Sequence, residues 1–310
     1  MNLPFTLQQL RIIKAIASEN SFTRAAEILF ISQPSLSKQV KTLENRLGIL
    51  LINRESNKIS LTEGGKLFLQ YSERILALCE ESCRALNDLK SGDRGNLTVG
   101  ASQTIGTYLM PRVLALFAQH YPQISLKVQV DSTRIIAKNV VDRNIDIAVV
   151  GGDVPNELKK NLEIESFVED ELTLIIPKSH PFATNKKMTI NKNDLYHLNF
   201  ITLNPNSTIR KFIDNTLIQN NIETKHFNII MQLNSIEAIK TAVSLGLGAA
   251  FVSSSAIEKE IELKTIEIIS IENIKITRTL SIITNPECYR SKAFEFFYNE
   301  LWSLKNITKY

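Results

Sequence analysis

The chain reads as an α+β protein in three parts: a small, mainly α winged helix-turn-helix at the N-terminus, one long linking helix, and a C-terminal region of two α/β lobes. Three observations point there. Ser21–Leu47 holds two short amphipathic helices about a tight break. The stretch from Gly64 to Ser91 has no proline and carries an apolar seam in steps of three and four. Beyond Ser91, short β-branched runs alternate with helical stretches.

In order, Thr6–Ser18 supplies a first helix with Leu7, Leu10, Ile13, Ile16 and Ala17 inward, closing a three-helix core. Phe22, Ala25, Ala26, Leu29 and Phe30 mark a compact second helix whose alanines let another helix cross closely, and Phe30–Ser32 forms the turn. Ser32 stands where an N-cap belongs, and Pro34 falls in the first turn, where its missing N–H has no intrahelical partner to lose. The third helix therefore starts near Gln33. Along it Leu36, Val40, Leu43 and Leu47 form an inward stripe. At about 100° per residue, the other side presents Pro34, Lys38, Lys41, Thr42 and Asn45. That face is short-chained, polar and positive, and suits a DNA major groove; a helical hairpin with a solvated basic face has the same pattern. Leu51–Glu63, LINRESNKISLTE, reads as a wing, with Arg54 and Lys58 near its tip and Ile59 and Leu61 alternating inward.

With 310 residues, 44% hydrophobic and 22% charged, the chain can build two or three domains with cores of their own. The net charge is only +4, and the first 65 residues hold eight basic side chains against five acidic ones, so most of the excess sits with the helix-turn-helix. No apolar run of about 18 residues and no charged leader with an apolar core appear, so the expectation is a soluble, unexported protein. Cys79, Cys83 and Cys288 form no metal-ligand pattern and imply no disulfide framework. Cys79 and Cys83, one helical turn apart, read as small apolar packing, with a redox pair as the alternative.

The seam of the long helix comprises Leu67, Tyr71, Ile75, Leu78, Ser82, Ala85 and Leu89. A helix about 40 Å long cannot cover its own apolar side, so it pairs with a partner helix or docks on its own domain. Ser91–Asn96 is a small-polar hinge. Strands are expected at Leu97–Gly100, Ile124–Val130, Ile145–Val150, Leu172–Ile176, Asn199–Thr202, His226–Met231, Ala249–Val252 and Leu280–Ile283. Helices are expected at Tyr108–His120, Thr133–Asp142, Ser207–Gln219, Ile236–Leu245 and Arg290–Leu304. The alternation predicts parallel sheets with helices on both faces, and Glu163–Val168 and Thr265–Ile269 read as strands crossing between two lobes. The division that follows is 1–63 for the winged helix-turn-helix, 64–91 for the linker helix and 92–310 for the two lobes. Lobe one takes 96–163 and 270–310, and lobe two 164–269.

Ligands of open α/β sheets sit at the carboxyl ends of the strands. There the loop ASQTIGT offers hydroxyls on Ser102, Thr104 and Thr107, the Gln103 amide and helix N–H groups ahead, chemistry suited to a small anion. Thr202 with Asn206, Ser207 and Thr208 forms a matching platform from the second lobe, and Asn234 and Ser235 precede a further helix. Singly each of these also serves as an N-cap; their convergence on one cleft makes a site. The four histidines are scattered, and no nucleophile motif, metal spacing or glycine-rich phosphate loop is visible, so neither an enzyme nor a resident metal or cofactor is expected. The acidic run Glu169–Glu171 reads as the solvated start of a strand.

The run AAEILFISQPSLSKQVKTLENRLGILLINR followed by LTEGG resembles the LysR-type transcriptional regulators. The resemblance implies a linker helix that pairs across a dimer and a two-lobed effector domain similar to periplasmic solute-binding proteins, with the ligand in the cleft. Carried over by motif position, Gln33, Pro34 and Lys38 face base edges, Ser37 a phosphate, and Arg54 the adjacent minor groove; Ser35, Lys41 and Lys58 complete the DNA-binding set. Two departures stand out: Ile52 where the family usually has Phe, which still fills the wing core, and Ser35 where Ala or Pro is common, which bears on base preference. Resemblance to the peroxide-sensing members is weak, since no cysteine lies between Arg84 and Glu287.

Within the family, GASQTIGTYLMPRVLALFAQHYPQISLKVQVDSTR, LNSIEAIKTAVSLGLGAAFVSSSAIEKE and RTLSIITNPECYRSKAFEFF are similar to the RuBisCO operon regulators of cyanobacteria and algal plastids. The abundance of Ile, Asn and Lys fits an AT-rich genome such as a plastid's. The resemblance implies a dimer or tetramer bound to double-stranded promoter DNA of carbon-fixation genes. It also implies a small anionic metabolite as effector, RNA polymerase as a further candidate partner and no membrane. The location is the plastid stroma if the source is algal, and otherwise the cytoplasm. A regulator of another pathway, such as nitrogen or sulfur assimilation, is the alternative.

Overall fold

The computed structural model describes residues 3–53, 59–91, 95–186 and 188–305. The chain divides into two compact units, residues 1–90 with 142–144, and residues 91–141 with 145–310.

The first unit contains α1 (Leu7–Glu19), α2 (Phe22–Ile28), α3 (Gln33–Leu47), β1 (Ile52–Asn53), β2 (Ser60–Leu61) and α4 (Glu63–Ser91). Each of the first three helices starts on a hydroxyl. Thr6 forms a capping box with Gln9, Ser21 accepts the Arg24 N–H, and Ser32 accepts the Ser35 N–H. Gly48 ends α3 at φ +70, a left-handed position that suits glycine. Ile13, Ala25, Ala26, Leu36, Val40 and Leu43 form the core with Leu51 and Ile52. Leu7, read as inward, is exposed, and Phe30, read with the second helix, leaves it in a left-handed turn (φ 53) and is 95% exposed. In the wing Ile52 pairs with Leu61 and Asn53 with Ser60. Buried Glu44 fixes its start by accepting the N–H groups of Leu51 (2.9 Å) and Ile52 (3.2 Å). Along α4, Leu67, Tyr71 and Leu78 are exposed while Ser72, Leu76 and Ala77 are buried.

The second unit holds β3 (Gly95–Ser102), a π-helical turn (Ile105–Leu109), α5 (Met110–His120), β4 (Ile124–Asp131), α6 (Thr133–Val141), β5 (Ile147–Val150), α7 (Asn156–Lys159) and β6 (Glu163–Pro177). After these come α8 (Pro181–Thr184), β7 (Thr189–Ile190), β8 (Asn199–Leu203), α9 (Thr208–Gln219), β9 (Asn228–Leu233) and α10 (Ile236–Ser244). The last elements are β10 (Ala250–Ser253), α11 (Glu258–Glu262), β11 (Ile266–Ile271), β12 (Thr277–Thr284) and α12 (Lys292–Lys305).

In lobe one β3 lies parallel to β4 and β5, β5 pairs antiparallel with β12, and β12 antiparallel with β6 as far as Glu171. From Leu172 onward β6 pairs antiparallel with β10 and β11 of lobe two. There β8 runs parallel to β9, and a bridge from Phe200 to Ala249 joins them to the sheet. The expectation of parallel sheets thus holds only for the strands joined by helical crossovers. β10 and β11 run antiparallel to the lobe-two half of β6, and β12 antiparallel to β5 and to the lobe-one half of β6. The crossing falls between Glu171 and Leu172 rather than at 163/164, because β6 continues for 15 residues without interruption. Thr265–Ile269 falls largely in β11, inside lobe two, and the chain returns through 272–276. Each lobe has its own core, with Phe117, Phe297, Val99 and Ile282 in one and Phe200, Ile213, Leu174 and Ile269 in the other.

Candidate functional site

On α3, Leu36, Val40 and Leu43 are fully buried, which fixes the rotation of the helix. Gln33, Pro34, Ser35, Lys38 and Lys41 are therefore held on the exposed side, with Ser37 half-buried between them. Gln33 Nε2 donates to Ser37 Oγ at 3.1 Å, and Thr42 Oγ1 donates to the Lys38 carbonyl at 2.9 Å. The one acid of the helix, Glu44, is turned inward to the wing, so formal charge on the outer face is positive only. Arg54 and Lys58 lie outside the described residues.

A cavity of about 180 Å³ opens where the two lobes meet. Lobe one lines it with Ser102, Gln103, Thr104, Ser132, Thr133 and Gly151, lobe two with Asn206, Ser207, Thr208 and Ile209, and β12 with Arg278. Ser102 Oγ accepts the Gly151 N–H, and Ser132 Oγ accepts the Ile135 N–H at the start of α6. Ser207 occupies the N-cap position of α9 yet makes no capping bond. Thr104 is 4% exposed, and its Oγ1 has no hydrogen-bond partner. The starts of α6 and α9 bring N–H groups and the positive ends of two helix dipoles to the same space.

Arg278 is the charged side chain of this lining and is 5% exposed. Its Nε donates to Asp170 Oδ2 at 2.8 Å and its Nη1 to the Gly151 carbonyl at 2.7 Å. Nη2 lies 2.7 Å from Asp170 Oδ2 but makes no hydrogen bond of acceptable geometry. Asp170 Oδ1 accepts from Ser253 Oγ. The acidic run is therefore no solvated strand start: Asp170 is buried in mid-β6 as the counter-ion that makes a buried arginine tolerable. Gly151 leaves room for this arrangement, since a Cβ there would lie 2.9 Å from Leu280 Cδ2 and 3.1 Å from Arg278 Cζ. At Gly152 a Cβ would meet Thr208 Cγ2 at 2.3 Å, so this glycine lets the lobes touch. Past that contact a second cavity, of about 440 Å³, shares Gly151 and Arg278 and adds Lys159, Phe212, Thr277 and Thr279.

The structure thus brings together Ser102, Gln103, Thr104, Ser207 and Thr208, but two expected members fall elsewhere. Thr202 lines a separate cavity of about 20 Å³ under α9 with Phe200, Phe227 and Arg210, because its side of β8 faces that helix. Asn234 is exposed and lines none of these cavities, and the Ser235 beside it caps α10 through the Ala238 N–H. Ser132 and Thr133 were missed although they follow β4 as Ser102–Thr104 follow β3, a signal present in the sequence. Arg278 gave no local signal.

Among the described residues no helix is long and apolar enough to cross a membrane, and no three side chains are grouped to hold a metal ion. Among the described residues no disulfide involves Cys79, Cys83 or Cys288.

Residues 7–66 match the family described as bacterial regulatory helix-turn-helix protein, lysR family, and residues 90–304 match the LysR substrate binding domain. A "Probable RuBisCO transcriptional regulator" from Thalassiosira pseudonana is 81% identical over 307 residues, covering 99% of this chain and 100% of the relative. A protein of the same description from Porphyra purpurea is 55% identical over 303 residues, covering 98% and 95%. Among solved structures, a full-length OxyR variant from Pseudomonas aeruginosa superposes with a TM-score of 0.73 at 24% identity, covering 97% of this chain and 95% of that one. Full-length CbnR complexed with its target DNA gives 0.70 at 22% identity, covering 96% and 99%. These two likenesses speak for the fold. With both units matched and relatives this similar along nearly the whole length, the chain belongs to the LysR family of transcriptional regulators.

Proposed function

We propose that this regulator controls RuBisCO genes in response to a small anionic metabolite. The observation that carries the target is the 81% identity, end to end, with a relative described as a RuBisCO regulator. Relatives so described come from diatoms, red algae and Cyanophora paradoxa, which favours the plastid stroma as its location.

In the proposed mechanism α3 enters the major groove of promoter DNA. Gln33, Pro34, Ser35 and Lys38 meet base edges, while Ser37 and Lys41 lie along the phosphates. Arg54 of the wing, assigned from the sequence motif, serves the adjacent minor groove, and Lys58 completes the DNA-binding set. The exposed apolar seam of α4 pairs with a second copy, which sets two α3 helices on two half-sites. RNA polymerase is the further macromolecule such a complex addresses. The effector is an oxyacid bound by Ser102, Gln103, Thr104, Ser207 and Thr208 in the cleft. Thr104 Oγ1 supports this reading, as a buried hydroxyl without a hydrogen bond on a residue that lines the same cavity as the Arg278 side chain, itself paired with Asp170. An oxyanion would satisfy that hydroxyl, and no resident cofactor takes part.

The test is a fluorescence-anisotropy titration against DNA from upstream of the RuBisCO genes, with scrambled competitor, at about 50 and about 200 mM salt. Preference for the promoter by about three decades or more, weakening steeply with salt, is the expected outcome. Salt-sensitive binding without preference would reject the target and favour a promoter of nitrogen or sulfur assimilation. No binding at all would overturn the role given to α3.

A further inference from the structure

The lobes meet a second time around a cavity of about 320 Å³ that shares no lining residue with the cleft. Tyr108, on the π-helical turn of lobe one, donates its hydroxyl to Glu237 Oε1 of α10 at 2.6 Å. Lys240, almost one turn further along α10, is 3% exposed, and its Nζ lies 4.9 Å from the centre of the Tyr108 ring. That ammonium group is 3.0 Å from both Glu237 Oε1 and Glu260 Oε1, and it donates to the Ala256 carbonyl at 2.7 Å. Arg112 and Glu258 form an ion pair across the same contact. Burial first, and then the bond to Glu237, push the Tyr108 phenol far above its ordinary pKa, so it remains a donor at any working pH.

Both ends of this clasp lead back to the cleft. On one side, Thr107 Oγ1 donates to the Gln103 carbonyl at 2.9 Å, so the cleft loop and Tyr108 share one helical turn. On the other, Ala256 follows Ser255, whose hydroxyl is 2.7 Å from Ser253 Oγ. Ser253 donates to Asp170, and Asp170 holds Arg278 in the cleft wall. A chain of contacts therefore runs from the cleft loop through Tyr108, Lys240 and Asp170 to Arg278, and Gly151, bonded to both Arg278 and Ser102, closes it.

We infer that Tyr108 is a positioning residue of the effector response: it lines no part of the cleft, yet its bond to Glu237 holds the Gln103–Thr104 loop and lobe two in one register. A π turn carries one residue more than an α turn, and such turns recur at functional sites. Regularising it would rotate Tyr108 by about 100° and carry its hydroxyl away from Glu237. A ligand that pulls on Thr104 or Arg278 and a clasp that holds Tyr108 then bias one another equally in both directions. This last step rests on the effector reading of the cleft; the clasp itself does not.

The test is hydrogen exchange on the full-length protein, comparing the natural chain with Tyr108→Phe, which keeps the ring over Lys240 and removes only the hydroxyl. Exchange in both 102–109 and 253–256 should quicken by about tenfold or more, with α3 unchanged as a control for folding. No change, or a change confined to 102–109, would overturn the inference. Glu237→Gln retains an acceptor for the phenol and should leave exchange slow; loosening equal to that of Tyr108→Phe would assign the clasp to the charges instead and reject Tyr108. Inorganic phosphate titrated into both proteins then reads the cleft, where an affinity change of about fivefold or more is expected and equal affinities would reject the coupling. Failure of the natural chain to bind phosphate would count against the oxyacid reading, and the exchange result would still decide the clasp.

Discussion

Lys38 carries a formal charge on a face that is otherwise short and neutral near the start of α3, which makes its role separable. Lys38→Ala is expected to weaken binding to the specific site by about 1–3 kcal/mol while sparing scrambled DNA, if the side chain reads a base edge. Equal losses on both in a competition titration would make it a phosphate contact. Single residues were legible in the sequence where their role follows from local position. Leu36, Val40 and Leu43 repeat with the helical period, and Ser102–Thr104, Ser207 and Thr208 stand where a strand gives way to a helix. Arg278 was not legible, because its place in the cleft wall depends on Asp170, 108 residues earlier in the chain. Thr202 was misplaced for a related reason: alternation along a strand gives two faces but does not say which one meets the cleft.

At the scale of elements, α4 reaches water with apolar side chains that a lone helix would hide: Leu67 is 57% exposed, Tyr71 55% and Leu78 51%. Leu78→Glu is expected to shift the protein to a smaller species in sedimentation velocity and to weaken promoter binding, since two half-sites are then no longer gripped together. An unchanged sedimentation coefficient would mean that copies pair through another surface. The existence and rough limits of nearly every long element could be read from periodicity, but strand direction could not, because parallel and antiparallel strands share a period of two. The π turn was hidden as well. Its first half, Ile105–Thr107, reads as part of the cleft loop and its second half as the start of a helix at Tyr108, and a Cβ at Gly106 would lie 2.6 Å from Val130 Cγ2, so the turn is crowded there.

At the scale of the whole molecule, the lobes have separate cores but one shared strand, and they should not unfold separately. Calorimetry of the full chain is expected to show at most two transitions, one for each compact unit, with both lobes melting together. A third transition would show that β6 does not bind the lobes into one cooperative body. The sharing of β6 reaches further than stability. It passes through both lobes in 15 unbroken residues, and the return segment 272–276 lies against it, with the Leu172 N–H donating to the Ile276 carbonyl. With these two segments side by side as the backbone links between the lobes, any change in the angle between the lobes has to be absorbed by the few residues around Glu171–Leu172 and 272–276.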